Sequence, residues 1–366
     1  MKIAQVAPLY EAVPPRLYGG TERVVAHLTD ALIDLGHEVT LFASADARTG
    51  AALESTRAQA IRLDPAPLKS DLAAHLTLLH EVRRQKDRFD IIHFHLDMVH
   101  FPFFEDIAPR TLTTLHGRLD LTDLPEAYRR WAKYPLASIS QAQRAALPFA
   151  NWVGTVHHGL PETLYAFSPS PAGYLAFLGR ICPEKGPDRA IAIARRLGMK
   201  LKIAAKVDAA DTAYFEAEIR PLLDHPLIEV IGEISDEQKP AFLGGAEALL
   251  FPIDWPEPFG LVMIEAMACG TPVVAYRRGA APEVIDEGVT GFLADDEDEA
   301  AEAVIRARAL DRRVVRRRFD RRFSAAAMAQ AYLDLYASRL APRPYTPELA
   351  SGDARADKLS ALVNRG

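Results

Sequence analysis

A chain of 366 residues with 49% hydrophobic and 25% charged residues has room for two ordinary globular domains, which excludes a fibre or a disordered chain. Its net charge of -6, from 43 Lys+Arg against 49 Asp+Glu, argues against a nucleic-acid partner, which needs a basic surface to meet phosphates. Two cysteines, Cys182 and Cys269, make no disulfide framework and lack metal-ligand spacing, as expected in a reducing cytosol, and no apolar run is long enough to span a bilayer.

The amino terminus opens with a strand-like "KIAQVA". The next segment, "TERVVAHLTDALIDLG", has Val24, Val25, Leu28, Leu32 and Leu35 at helical spacing and Gly36 as a stop, and "HEVTLFAS" follows as a second strand. This is a β-α-β unit. The runs "FDIIHFHL", "TLTTLHG", "LASIS" and "NWVGTVHHG" suit strands of a parallel sheet buried on both faces. A Pro/Ser/Gly-rich linker, "YAFSPSPAG", precedes "YLAFLGR", where the alternation restarts with "KLKIAAK", "LIEVIGE", "EALLFPI" and "TPVVAY". Helices are predicted near 187–197, 211–223, 235–245, 260–268 and 297–309. The expected fold is α/β, two Rossmann-like domains over 1–166 and 173–325, with a crossover helix at 326–340 and a mobile tail at 341–366. Open parallel sheets bind ligands at the carboxyl ends of their strands, so the motifs should line a cleft between the domains.

Four motifs fall at such ends. In "EPFGLVMIEAMACGTPVVA", Pro258 disfavours helix at Glu257, and Gly260 can open a helix that carries Glu265 about one and a half turns in. A helix amino terminus offers free N–H groups to a phosphate or sugar oxygen, and carboxylates beside it accept hydroxyl hydrogen bonds. For an isolated pair, a capping Glu257 and a surface Glu265 is the blander interpretation. In "FLGRICPEKG", Arg180 and Lys185 stand in the loop where a diphosphate would lie; two solvated surface charges is the alternative. Gly19 and Gly20 of "LYGGTERVV" permit close backbone approach to a ligand, with Thr21 as a helix cap, and His116 of "TLHG" ends a strand. No Gly-Lys-Ser/Thr phosphate loop or strand-linked G-x-G-x-x-G is present, which disfavours ATPase and dinucleotide chemistry.

Together these four elements resemble the family-4 glycosyltransferases, retaining enzymes of the GT-B fold, over roughly residues 1–340. The most specific match is the pair of glutamates with seven residues between them; "GRICPEKG" is similar to the family's diphosphate-binding segment. The resemblance implies that Glu257 contacts the donor sugar's hydroxyls and that backbone N–H groups around Phe259, Gly260 and Leu261 hold sugar or phosphate. Glu265 would bind the ribose, and Arg180 and Lys185 would neutralise the departing diphosphate. Gly20 would let its loop close on the diphosphate, and His116 would meet the donor sugar. It further implies front-face displacement, with the leaving phosphate taking the acceptor's proton and no metal or cofactor beyond the donor, a UDP-sugar. Lys206 of "KIAAKVD" is read evenly as a phosphate contact or a solvated lysine, and Ile234 as a place where backbone reads the base.

The acceptor is expected to be a hydroxyl compound, with a glycolipid and a cell-surface polysaccharide precursor both open. Loops 8–18, 97–106 and 118–134 would shape its pocket, with Asp97 and His100 as contacts and Tyr10, Phe101, Phe103, Phe104, Trp131 and Tyr134 as apolar surface. A nucleotide-sugar epimerase, a phosphorylase of the same fold and an idle nucleotide-sugar binding module are the alternatives, and no signature distinguishes the first two. Other features have plainer explanations. His93 and His95 share a strand face but lack a third ligand for a metal. The acids of "DDED" (295–298) suit a helix start. The run "RRVVRRRFDRRF" (312–323) is preferred as a solvated helix with Val314, Val315 and Phe319 inward; peripheral contact with anionic lipid at the inner membrane surface is its alternative.

Overall fold

The structure, a computed structural model, describes residues 1–16 and 19–340. The tail at 341–366 lies outside the described residues, as do Leu17 and Tyr18 of the first glycine loop. Two all-parallel sheets result. The first holds β1 (Lys2–Val6), β2 (Glu38–Phe42), β3 (Ala52–Glu54), β4 (Ile91–Phe94), β5 (Thr111–Thr114), β6 (Leu136–Ser138) and β7 (Trp152–Thr155), in the order β3-β2-β1-β4-β5-β6-β7. The second holds β8 (Tyr174–Arg180), β9 (Lys200–Lys206), β10 (Ile228–Gly232), β11 (Ala246–Phe251), β12 (Val273–Tyr276) and β13 (Gly291–Ala294), in the order β10-β9-β8-β11-β12-β13. In both, strand order reverses beside the first strand, where open α/β sheets form a crevice.

Helices α1 (Gly20–Asp34), α2 (Asp71–Arg84), α3 (Leu124–Arg130) and α4 (Gln141–Arg144) belong to the first domain. The second carries α5 (Pro187–Leu197), α6 (Thr212–Tyr214), α7 (Arg220–Leu223), α8 (Lys239–Gly244), α9 (Leu261–Ala268), α10 (Ala281–Val284), α11 (Glu297–Ala307) and α12 (Arg312–Arg322). The last, α13 (Ala325–Leu340), returns to the first domain, where Met328, Tyr332 and Tyr336 join Ile3, Val24, Leu28 and Leu112 in one buried cluster. Each such fully buried large side chain contributes about 1.5–3 kcal/mol.

Several sequence expectations need correction. Val24, Val25, Leu28 and Leu32 are buried on α1 as their spacing predicts, but Leu35 is 42% exposed because the helix ends just before it. Gly19, not Thr21, is the N-cap, and no side chain caps the helix. The helix expected over 211–223 is three short pieces with a π turn at Phe215–Ile219, because Pro221 has no N–H to continue the ladder. That expected over 235–245 shortens to α8, since the Ser235 carbonyl accepts from both Gln238 and Lys239 in a turn. The edge strands β3 and β13 and helix α2 were not anticipated.

The acidic run does start a helix: Asp296 caps α11 by accepting from the N–H groups of Asp298 and Glu299. The arginine run fits neither of its expected roles fully. Val315 and Phe319 are buried while Val314 is only partly so. Arg312 donates to the carbonyls of Ser168, Ala246 and Gly244 and to the Thr271 hydroxyl, at 2.6–2.8 Å. Arg316 reaches the carbonyls of Tyr165, Ala268 and Glu162 at 2.7–2.8 Å. These arginines tie loop and helix ends together. Exposed positions of the run are Arg313, Arg317 and Arg321. No helix among the described residues is long and apolar enough to cross a membrane.

Candidate active site

The carboxyl ends of the strands in both sheets face one cavity of about 860 Å³. From the second domain, β8 ends at Arg180, β9 at Lys206, and the loop after β11 carries Glu257, Phe259 and Gly260 into α9; all five residues line the cavity, as do Lys185, Ile234, Leu261 and Glu265. From the first domain come Gly19 and Gly20 at the start of α1, Asp97 after β4 and His116 after β5.

The α9 amino terminus is built by Gly260, whose φ of 84° lies in the left-handed region. A Cβ there would stand 2.9 Å from both Phe251 Cζ and Met263 Cε, so only glycine allows this turn without displacing core. The first N–H groups of the helix have no intrahelical acceptor. Gly20 faces this turn across the cleft: the nearest atom to a Cβ built on it is Leu261 Cδ1, 3.7 Å away. The two glycine-bearing helix starts thus oppose each other across the domain boundary.

Glu257 is held from one side. Lys185 Nζ and Trp255 Nε1 both donate to Oε2, the latter at 2.8 Å, which leaves Oε1 without a partner among the described residues. Lys185 Nζ also lies 5.3 Å from the Trp255 ring centre, so an aromatic wall and a carboxylate together fix the ammonium. Arg180 is surrounded by acids: Glu184 at 2.9 Å, Asp211 at 3.5 Å and Asp208 at 3.6 Å. Lys206 pairs with Asp208 at 3.0 Å, and that hydrogen bond raises its amine above the ordinary value, so it is charged at neutral pH.

Glu265 is nearly fully buried and accepts from Lys239 Nζ at 2.8 Å. Lys239 also pairs with Asp236 at 3.0 Å, and Asp236 in turn pairs with Arg23 of α1. Burial alone would raise the Asp236 carboxyl; Lys239 and Arg23 outweigh it and hold it below the ordinary range. A chain of alternating charge therefore runs from the cavity wall in one domain to α1 in the other. Close by, burial lowers the His27 imidazole to about 4.

The acceptor-side expectations divide. Asp97 lines the cavity as an exposed residue with φ 47°, a strained backbone for a non-glycine residue. His100 is not at the cavity: it is fully buried, bonds the Thr113 hydroxyl at 3.1 Å and stacks on Phe94 at 3.7 Å. Phe101, Phe104 and Tyr134 are likewise core residues, whereas Tyr10 lines the cavity mouth. His100, Phe101 and Phe104 share a cause, since the chain after Asp97 coils through two 3-10 turns that carry them into the core, whereas Tyr134, between α3 and β6, packs there by donating to the Phe101 carbonyl. Trp255, Lys239, Asp236 and Arg23 went unnoticed in the sequence. Trp255 was discoverable as an aromatic two residues before Glu257; Lys239 meets Glu265, and Asp236 and Arg23 extend that pair, only through tertiary contact.

His93 is structural, bonded to Tyr336 and Thr114 at 2.7 Å each. Among the described residues, no cluster of three or more His, Cys, Asp or Glu side chains is placed to hold a metal ion.

Two family models match the chain, "Glycosyl transferases group 1" over 167–324 and "Glycosyltransferase Family 4" over 18–153. It is 34% identical to the D-inositol 3-phosphate glycosyltransferase of Saccharomonospora viridis, over 47% of this chain and 44% of that protein. It thus spans less than half the length of that relative. Against the glycogen synthase of Mycobacterium tuberculosis it is 27% identical over 95% of this chain and 98% of the relative. The fold is similar to that of Anabaena Alr3699/HepE solved in complex with UDP and glucose, with TM-score 0.71 and 19% identity, covering 92% of this chain and all of that one. Its two matched halves and its GT-B architecture make this chain a member of the group 1, family 4-type glycosyltransferases.

Proposed function

We propose that this protein moves a hexosyl group from a nucleoside diphosphate sugar, UDP-linked, to a hydroxyl acceptor with retention of configuration and without a metal ion. One observation carries the reading. Two cationic side chains, Arg180 and Lys185, the open amino terminus of α9 and a carboxylate with one unengaged oxygen, Glu257 Oε1, converge on a single cavity. A leaving diphosphate develops negative charge, which Arg180, Lys185 and the α9 N–H groups are suited to stabilise. Glu257 Oε1 accepts from sugar hydroxyls, and Glu265 from the ribose. In the step itself the bond from the anomeric carbon to the phosphate oxygen breaks as the bond to the acceptor oxygen forms on the same face. The acceptor's proton passes to the departing phosphate oxygen.

The UDP assignment draws support from the fold neighbour crystallised with UDP and glucose. The names of the two relatives span an inositol phosphate and glycogen, so the acceptor calls for a screen of polyol phosphates, oligosaccharides and lipid extracts. The decisive experiment follows thermal stabilisation by a panel of nucleotide sugars and the release of free nucleoside diphosphate. Transfer predicts acceptor-dependent release that falls on the order of 100-fold in Glu257→Ala. Binding with no turnover for any acceptor would instead make the protein a nucleotide-sugar binding module. Unchanged nucleotide-sugar affinity in Arg180→Ala would refute the diphosphate assignment.

A further inference from the structure

Beside the cavity, one aromatic side chain gathers charged groups from both domains. Trp255 lies in the loop that joins β11 to α9, with Pro256 between it and Glu257. The Glu257 N–H donates to the Trp255 carbonyl at 2.8 Å, a three-residue turn that brings the indole back to the glutamate two residues on. From the other side, the Ala280 N–H donates to the Glu257 carbonyl at 2.9 Å, and a Cβ built on Gly279 would collide with the Glu257 backbone. The backbone therefore fixes where the Glu257 side chain starts.

Two donors then fix where that side chain ends. Trp255 Nε1 donates to Glu257 Oε2 at 2.8 Å, and Lys185 Nζ donates to the same oxygen. The direction of both bonds is unambiguous, because an indole N–H and an ammonium only donate and an ionised carboxylate only accepts. The other oxygen, Oε1, has no partner among the described residues and is not shut away from solvent. Glu257 lines the cavity, whereas Trp255 stands outside it. With Lys185 as sole donor, the carboxylate can swing until both oxygens share the ammonium, which withdraws Oε1. The indole N–H prevents that swing by holding Oε2 from a second direction.

The first domain reaches the same ring. Arg118, in the loop between β5 and α3, sets its guanidinium over the Trp255 ring, 5.5 Å from the centre. Asp120 grips that guanidinium through two bonds of 2.7 Å, which hold it in one plane. Arg118 is half exposed and Trp255 partly buried against the second domain's core, so the contact spans the mouth of the cleft and is lost when the domains part. We propose that Trp255 is a positioning residue shared by both domains: its N–H sets the Glu257 carboxylate so that Oε1 meets a hydroxyl of the donor hexose, and Arg118, set over the same ring, ties that alignment to closure of the cleft. This role rests on reading the cavity as a nucleotide-sugar site.

Trp255→Phe keeps a ring and removes the N–H. Its affinity for UDP-glucose is expected to fall about tenfold, the loss of one hydrogen bond, while affinity for UDP, which lacks the hexose, stays within about twofold. Equal losses for both ligands would make Trp255 a merely structural residue. Arg118→Ala should weaken UDP-glucose about threefold, yet add nothing in a Trp255→Leu background, where Arg118 has no ring to meet; additive losses overturn the link between the domains. NMR of protein labelled with 15N-tryptophan gives a readout without ligand. Each of the three tryptophans shows one indole N–H signal, and replacing Trp131 and Trp152 in turn with Phe identifies that of Trp255. It is expected to move upfield in Glu257→Ala, where the N–H loses its carboxylate, and to shift in Arg118→Ala, where the ring loses its cation. A signal that stays in place in either variant overturns the proposal even if no Trp255 variant folds. Failure of the wild type to bind any nucleotide sugar would instead remove the nucleotide-sugar reading and leave the indole result standing.

Discussion

Glu257 and Glu265 each sit beside a lysine, but burial gives the two pairs different weight. The Glu265 side chain is 4% exposed and that of Lys239 13%, so deleting the lysine strands a carboxylate away from water. Lys239→Ala should cost about 3 kcal/mol, read as a lowered denaturation midpoint, and Lys239→Ala with Glu265→Gln should recover much of it. A single variant as stable as wild type would mean that Glu265 is solvated by other means. Lys185 is more open, at 21%, and its pairing with Glu257 contributes modestly to stability. Lys185→Ala is expected to leave the melting temperature nearly unchanged while lowering turnover about 100-fold. The reverse pattern, full activity with a lost fold, would make Lys185 a structural cation.

At the scale of elements, α12 and α9 show opposite uses of the amino-acid alphabet. The α12 arginines look like a charged surface, yet Arg312 satisfies three carbonyls and a hydroxyl in a buried site. Arg312→Ala leaves those acceptors unpaired and is predicted to destabilise by about 3 kcal/mol, while Arg313→Ala on the exposed side changes stability by less than about 0.5 kcal/mol. Equal effects in chemical denaturation would contradict the clamp. In α9 the decisive residue has no side chain. Gly260→Ala combines a left-handed backbone with contacts of 2.9 Å to Phe251 and Met263, a cost of about 1–3 kcal/mol. Its donor affinity should fall beyond what the stability loss explains, because the first N–H groups of the helix move with the turn.

For the whole molecule, two carboxylates stitch the domains together. Asp236 of the second domain meets Arg23 of α1. Glu283 of α10 accepts from the N–H groups of Gln141 at 2.7 Å and Ala142 at 2.6 Å, capping α4 of the first domain. Burial alone would raise Glu283, but hydrogen bonds from His157 and those two N–H groups hold it below its ordinary value of 4.5; Asp236 likewise lies below 3.8. A depressed carboxyl contributes stability that is fully present above its ordinary value and is lost as pH falls through the lowered one. Acid should therefore separate the domains before it melts them. Small-angle scattering is expected to show expansion below about pH 4 while far-ultraviolet circular dichroism persists. Simultaneous loss of both signals would rule out selective opening, and Glu283→Gln should expand at higher pH than wild type.

Much of this was legible in the chain because it is local. Apolar runs punctuated by glycine and proline announced two parallel sheets, since a strand covered on both faces must be apolar throughout. Pro258, Gly260 and the spacing of Glu257 and Glu265 placed a loop, a helix start and two carboxylates, because backbone conformation follows from neighbouring residues. The same local logic misjudged His100, Phe101 and Phe104, which follow a strand's carboxyl end but turn back into the core, and Tyr134, which enters the core between α3 and β6. Nothing near Lys239 in sequence tells that it neutralises Glu265, 26 residues away, or that Asp236 meets Arg23 across 213. Sequence alone determined the folding units and the motifs at their strand ends. Tertiary structure decided which charges meet and which core α13 joins, since these depend on through-space distances.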